Sequence, residues 1–442
     1  MINIDNKLPQ HIDPLAESSL IYSTSLQEVK QQTFLSKVLL LLVCFGYPIQ
    51  AFIIIISGSN SNNLNIGFRI IYVLISVFII FSSFKRGIKI SKPVLAFLCF
   101  WIIYTARLFY DLSIREIRFL DKPPFYVYSF ALGNCLLPAL AIYLSKAAWN
   151  TKNLSIGLYY ILLLSNICII INYLFLTPAS LTDLLVTRVG WGEEQIINPI
   201  TISLSGALLS IAAFSLIYYT GLKLKLWFRV LVISSIFIGF LNLVLGASRG
   251  PLIAFIFICL IVILFYWKSR KLVGKTFIFL LFLSSFIWVS GIALNRHNTG
   301  DIYLIERLKT QKDKTEKEDR EYEWASAWEQ FSKSPFLGDS FVNDYDKSYA
   351  HNLILDSLRA TGVIGTFFLL YLIFLTIKKV FHILSNLSEY KDSAAICLIF
   401  LCTFIVDMVS GGIFVAIYFW SLSAFICTIP IYKEIKSSPS LF

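Results

Sequence analysis

Four histidines, His11, His297, His351 and His382, carry the one side chain whose ordinary pKa, about 6.5, suits proton transfer near neutral pH. Arginine is the second telling residue, because its planar fork pairs phosphate or carboxylate oxygens at two points and keeps its charge. Arg188 lies in the run Thr187, Arg188, Val189, Gly190; Arg249 lies in the run Ala247, Ser248, Arg249, Gly250; Arg320 stands one helical turn ahead of Trp324. Asn352 follows His351 directly and could orient a sugar or a backbone. Which of these can meet depends on where the chain crosses a membrane.

That it does so follows from composition. Of 442 residues, 57% are hydrophobic and only 15% charged, with a mean hydropathy of +0.72. A soluble protein of this length needs more charge on its surface. Apolar runs of about 20 residues span the hydrocarbon core as helices, since the backbone in lipid must satisfy itself. Such runs fall at about 34–57, 67–84, 93–110, 127–145, 154–176 and 199–219, then at 226–246, 250–267, 276–295, 355–377, 393–410 and 412–432. The expectation is an all-α, polytopic membrane protein of about 12 spans, the first open to a kink at Gly46 and Pro48.

Cytoplasmic loops hold the excess of Lys and Arg. With the N-terminus inside, the inner loops carry Lys85, Arg86, Lys89 and Lys92, then Lys223, Lys225 and Arg229, then Lys268, Arg270, Lys271 and Lys275, then Lys378 and Lys379. Short outer loops are expected to be poor in such residues, as at Asn60 to Asn63 and at Gly411 and Gly412. Topology therefore accounts for the net charge of +11, which argues for acidic lipids and not for nucleic acid. The expected order is a cytoplasmic tail over 1–33, spans over 34–295, a large outer loop over 296–352, spans over 353–432 and a cytoplasmic tail over 433–442. The eight cysteines all lie in the expected spans and suggest no disulfide framework.

His11 and His382 then face the cytoplasm, and His297 and His351 remain outside with Arg188, Arg249 and Arg320. The outer loop departs furthest from membrane composition. Thr315 to Glu318 reads as a capping box opening a helix, on which Trp324, Trp328 and Phe331 recur as one apolar stripe. Its acidic residues, Glu316, Glu318 and Asp319 among them, are interleaved with Lys as on a solvated face, so no metal or cofactor is expected.

Arg320 with Trp324, then Pro335, Phe336, Leu337 and Gly338, then His351 and Asn352, then Gly362, Val363, Ile364 and Gly365, together resemble the C-terminal signature of the O-antigen polymerase and O-antigen ligase superfamily. Ala247 to Gly250 is similar to a further feature of that family. The motifs cover about 120 residues by the count of such a signature read against its spans. The sequence departs at Ser340, where the family often has a second glycine.

The resemblance implies glycosyl transfer from a polyprenyl-diphosphate-linked oligosaccharide to a sugar hydroxyl, at the periplasmic face of a bacterial inner membrane. In that chemistry Arg188, Arg249 and Arg320 would hold the diphosphate as negative charge develops on it, and His351 would take the acceptor's proton. The plain alternatives are a headgroup-seeking role for Arg249, solvated loop charges at Arg188 and Arg320, and a loop-packing role for His351. A polymerase joining repeat units, with a chain-length regulator and a flippase as candidate partners, is the expected member; a ligase transferring glycan to lipid A core is the alternative. A flippase or other transporter is the reading from another class, for which Asp407 is the clearest buried carboxylate and Arg69 and Arg107 lie nearer span ends.

Overall fold

The computed structural model describes residues 14–57, 61–87, 90–145, 149, 151–173, 197–218, 225–265, the single positions 274, 276, 280 and 284, and 319–430. Among them the regular structure is helical apart from one isolated bridge between Phe119 and Lys122. In chain order the helices are α1 (Pro14–Phe45), α2 (Tyr47–Ser57), α3 (Ser61–Lys85), α4 (Lys92–Ile114), α5 (Pro124–Leu144), α6 (Thr151–Ile171) and α7 (Pro199–Tyr218). They continue as α8 (Leu226–Leu245), α9 (Arg249–Phe265), α10 (Asp319–Lys333), α11 (Leu353–Ser385), α12 (Leu387–Ser410) and α13 (Ile417–Thr428).

Among the described residues, eight helices are long and apolar enough to cross a membrane. α1 and α2 make a further candidate span, bent by 71° at Gly46, where Pro48 cannot continue the hydrogen-bond ladder. α9 and α13 are shorter apolar helices. Every expected run except 276–295 coincides with an apolar helix, and most of 276–295 lies outside the described residues. α1 starts at Pro14, so the helix of the first span already runs through much of the polar tail.

α7 forms the centre of the bundle, packed by α6, α8, α9 and α12. Small residues bring α7 and α8 together: a Cβ on Gly206 would lie 2.3 Å from the Gly239 carbonyl. Asn242 on α8 donates to the Asn166 side chain on α6 at 2.8 Å, a polar tie where lipid offers no competing partner. α4 and α5 each loosen into a π-helical turn, Tyr110–Ile114 and Ser129–Leu136.

The connections gather at two ends. At one end Arg86 meets Gln32, Ser155 donates to the Asp392 carbonyl at 2.6 Å and Lys379 donates to the Cys427 carbonyl at 3.1 Å. At the other end the end of α4 with the 115–123 connection, the turn at 246–250, α10 with residues 334–352, and the turn at 411–416 come together. All the candidate site residues within the described chain belong to this second end.

Candidate functional site

The frame of the site is a seam between residues 335–341 and a break in α11. Gly362 has φ +62° and ψ −165° inside an otherwise continuous helix. A Cβ there would lie 2.3 Å from the Phe336 carbonyl oxygen, and one on Gly338, at φ +75°, would lie 2.4 Å from the Ala360 carbonyl carbon. Only glycine combines a left-handed backbone with so close an approach. Val363 N–H donates to the Pro335 carbonyl at 2.8 Å and Asp339 N–H to the Arg359 carbonyl at 2.8 Å, so the loop satisfies groups that the break releases.

Arg107 of α4 closes the seam. Its guanidinium donates to the carbonyls of Leu337 at 2.9 Å, Gly338 at 2.8 Å, Asp339 at 3.0 Å and Ala360 at 3.1 Å. Asp111, one turn later and fully buried, accepts from Phe341 N–H at 2.8 Å and faces both Arg107 and Arg115. Behind it, buried Arg359 pairs with Asp356 at 2.5 Å and donates to the Phe341 carbonyl at 2.7 Å. The other Asp356 oxygen accepts from Ile413 N–H at 2.9 Å, which ties in the turn after α12.

On this frame the candidate residues converge on the end of α12. Arg320 donates to the Ser410 hydroxyl at 3.1 Å. Gly250 lies beside the same residue, an added Cβ being 3.9 Å from the Ser410 hydroxyl oxygen, so the turn that carries Arg249 abuts the end of α12 that Arg320 holds. That turn is tight, with Ala247 at φ 43°. His351, at φ 51°, places Nε2 3.8 Å from a carboxylate oxygen of Glu323, and its ring packs on Tyr349 at 4.5 Å between centroids. Burial and the Arg320 charge push the His351 pKa down to about 4, against weaker upward pulls from the Ser410 main chain and Asp346. Both causes favour the neutral imidazole. Its buried Nδ1 and the buried Trp324 Nε1 make no hydrogen bond among the described residues.

Several sequence expectations change here. Asn352 caps α11, accepting from Ile354 and Leu355 N–H at 3.0 Å each while donating to the Met408 carbonyl at 2.9 Å, so it orients backbone. The α10 stripe is corrected: Glu323, Ala327 and Gln330 face inward, while Trp328 is 55% exposed and packs on Phe331. Polar residues take the inner face because the 334–352 segment needs partners; Gln330 bonds to Asp339, Val342 and Asp344, and Asn343 donates to the Glu323 carbonyl. Ser340 serves the turn by accepting from Val342 N–H at 3.2 Å. The 115–123 connection is not poor in cations, since Arg115, Arg118 and Lys122 lie in it, and Arg115 is held by Asp111 and Asp339.

Arg188, His297 and the 315–318 capping box lie outside the described residues. Sequence reasoning missed Glu323, Asp111, Arg115 and the Asp356–Arg359 pair. An i, i+3 Asp and Arg within an apolar run was a legible signal for the last; the others depend on packing between distant segments.

Residues 233–370 match the family model described as O-antigen ligase, a segment containing Arg249, Arg320, His351 and the Gly362 break. No curated protein and no solved structure matches the chain.

Proposed function

We propose that this member of the O-antigen ligase and polymerase superfamily is a polymerase of O-antigen or related surface polysaccharide, joining polyprenyl-diphosphate-linked repeat units at the periplasmic face of a bacterial inner membrane. The observation that carries the reading is the meeting of Arg320, the Arg249 turn and a half-buried His351 of depressed pKa at the end of α12. The acceptor hydroxyl oxygen attacks the donor's anomeric carbon as the bond from that carbon to the diphosphate oxygen breaks. The hydroxyl proton passes to His351, and the polyprenyl diphosphate leaves with its charge held by Arg320, Arg249 and Arg188. A bound diphosphate offsets the Arg320 charge that depresses His351, so donor binding itself makes the base stronger. Glu323, 3.8 Å away, steadies the imidazolium.

Two readings share this chemistry. The family description names the ligase, which would transfer finished glycan to lipid A core. The polymerase is favoured by the end of α4 and the 115–123 connection, which pack on the site through Asp111 and through Phe119 against Tyr349 yet lie outside the matched segment, as a part tuned to one repeat unit would. A deletion strain separates them. Single repeat units on core support the polymerase; bare core with glycan stranded on its lipid carrier overturns it in favour of the ligase. In purified protein, His351→Ala should lower turnover by about 10²–10⁴ while donor still binds; near-normal turnover removes the base assignment.

A further inference from the structure

We infer that a groove between α3 and α5 is a binding site for one anionic phospholipid, whose phosphate pairs with Arg69. The groove has a volume of about 350 Å³ and opens sideways, through Ile70, Leu74 and Phe125, each more than half exposed. Its wall is apolar except at one end, where Arg69, Ser129 and Tyr128 stand together. Arg69 lies four residues into the Asn65–Lys85 span, about 6 Å from its start and so at headgroup depth. Its guanidinium donates to the Ser129 hydroxyl at 2.6 Å and lies 3.7 Å from the centre of the Phe130 ring. No carboxylate is within ion-pair distance of it among the described residues.

A cation on a membrane helix is costly without an anion. An amphiphile with an anionic head and an apolar chain satisfies both the apolar wall and the charge at its end. Tyr126, Phe119 and Tyr349 stack in a near-parallel column with centroids 6.2 Å and 6.0 Å apart, and contacts run along it from Arg69 to His351. The lipid site rests on Arg69 and the groove, and not on the catalytic residues.

The test uses the purified full-length protein and native mass spectrometry with phosphatidylglycerol and phosphatidylethanolamine as probes. One phosphatidylglycerol should be retained in preference to phosphatidylethanolamine. Arg69→Gln should weaken that retention about fivefold, the worth of one cation against an anionic headgroup, while Arg69→Lys keeps the preference. Gly133→Leu, at a position where an added Cβ meets Val73 at an ordinary 3.5 Å, should fill the groove and reduce retention of both lipids. Equal retention of the two lipids by the unaltered protein, or unchanged retention in Arg69→Gln, overturns the proposal. So does displacement of phosphatidylglycerol by equimolar polyprenyl phosphate, which would make the groove a carrier-lipid site.

Discussion

Lowering the pH is the most direct test of His351. Only the neutral imidazole can take a proton, and a depressed pKa keeps it neutral further into acid. An ordinary histidine is about one-tenth neutral at about pH 5.5, whereas one with a pKa near 4 is almost wholly neutral there. Hence kcat/KM at about pH 5.5 should stay close to its value at about pH 7.5, where an unperturbed base would lose about tenfold. Arg320→Gln removes the second cause of the depression and leaves burial, so the acid limb should move upward toward neutrality even as turnover falls. The assay is initial rate against pH with lipid-linked donor and acceptor, with a thermal-shift control for folding at each pH. An acid limb centred near 6.5 in the unaltered enzyme, or one that Arg320→Gln leaves in place, would refute the reasoning.

The frame around the site yields further expectations. Gly362→Ala forces a side chain to within 2.3 Å of the Phe336 carbonyl at a left-handed backbone, and should cost at least about 2 kcal/mol in a thermal unfolding assay. Asp356→Ala strands the fully buried Arg359 and should cost about 3–5 kcal/mol, whereas Arg359→Met with Asp356→Leu should recover much of that loss. Asn352→Ala should lower stability by about 1 kcal/mol with little change in turnover per folded molecule, because its side chain caps a helix. Arg249→Lys and Arg188→Lys should each shorten the glycan product at normal protein levels, since one ammonium cannot reproduce two-point pairing; full-length chains from both variants would remove them from the donor site.

Much of the fold was legible because lipid leaves the backbone few choices. Apolar run length alone located α3 to α8, α11 and α12, and Pro48 beside Gly46 announced the bend in the first span. The loop chemistry was less legible. Glu323 reads as one more charge on a polar helix, and its inward address comes from the needs of 334–352. Arg107 reads as a cation near a span end, yet it is committed to four carbonyls contributed by residues more than 200 positions away. His351 could be chosen from the sequence by elimination, but its depressed pKa depends on burial and on Arg320, and neither is a local property.

The seam at Gly338 and Gly362 also bears on traffic. With Arg107 and Asp356 fastening the chain on either side of it, the 335–350 segment is held along its length to α4 and α11, and by Tyr349 packing on Phe414 to the turn after α12. A strap anchored in so many places is poorly suited to lifting away like a trapdoor. Large amphiphiles confined to two dimensions would instead slide in between helices, and the rate of each encounter would then depend on the fluidity and composition of the surrounding leaflet as much as on the enzyme.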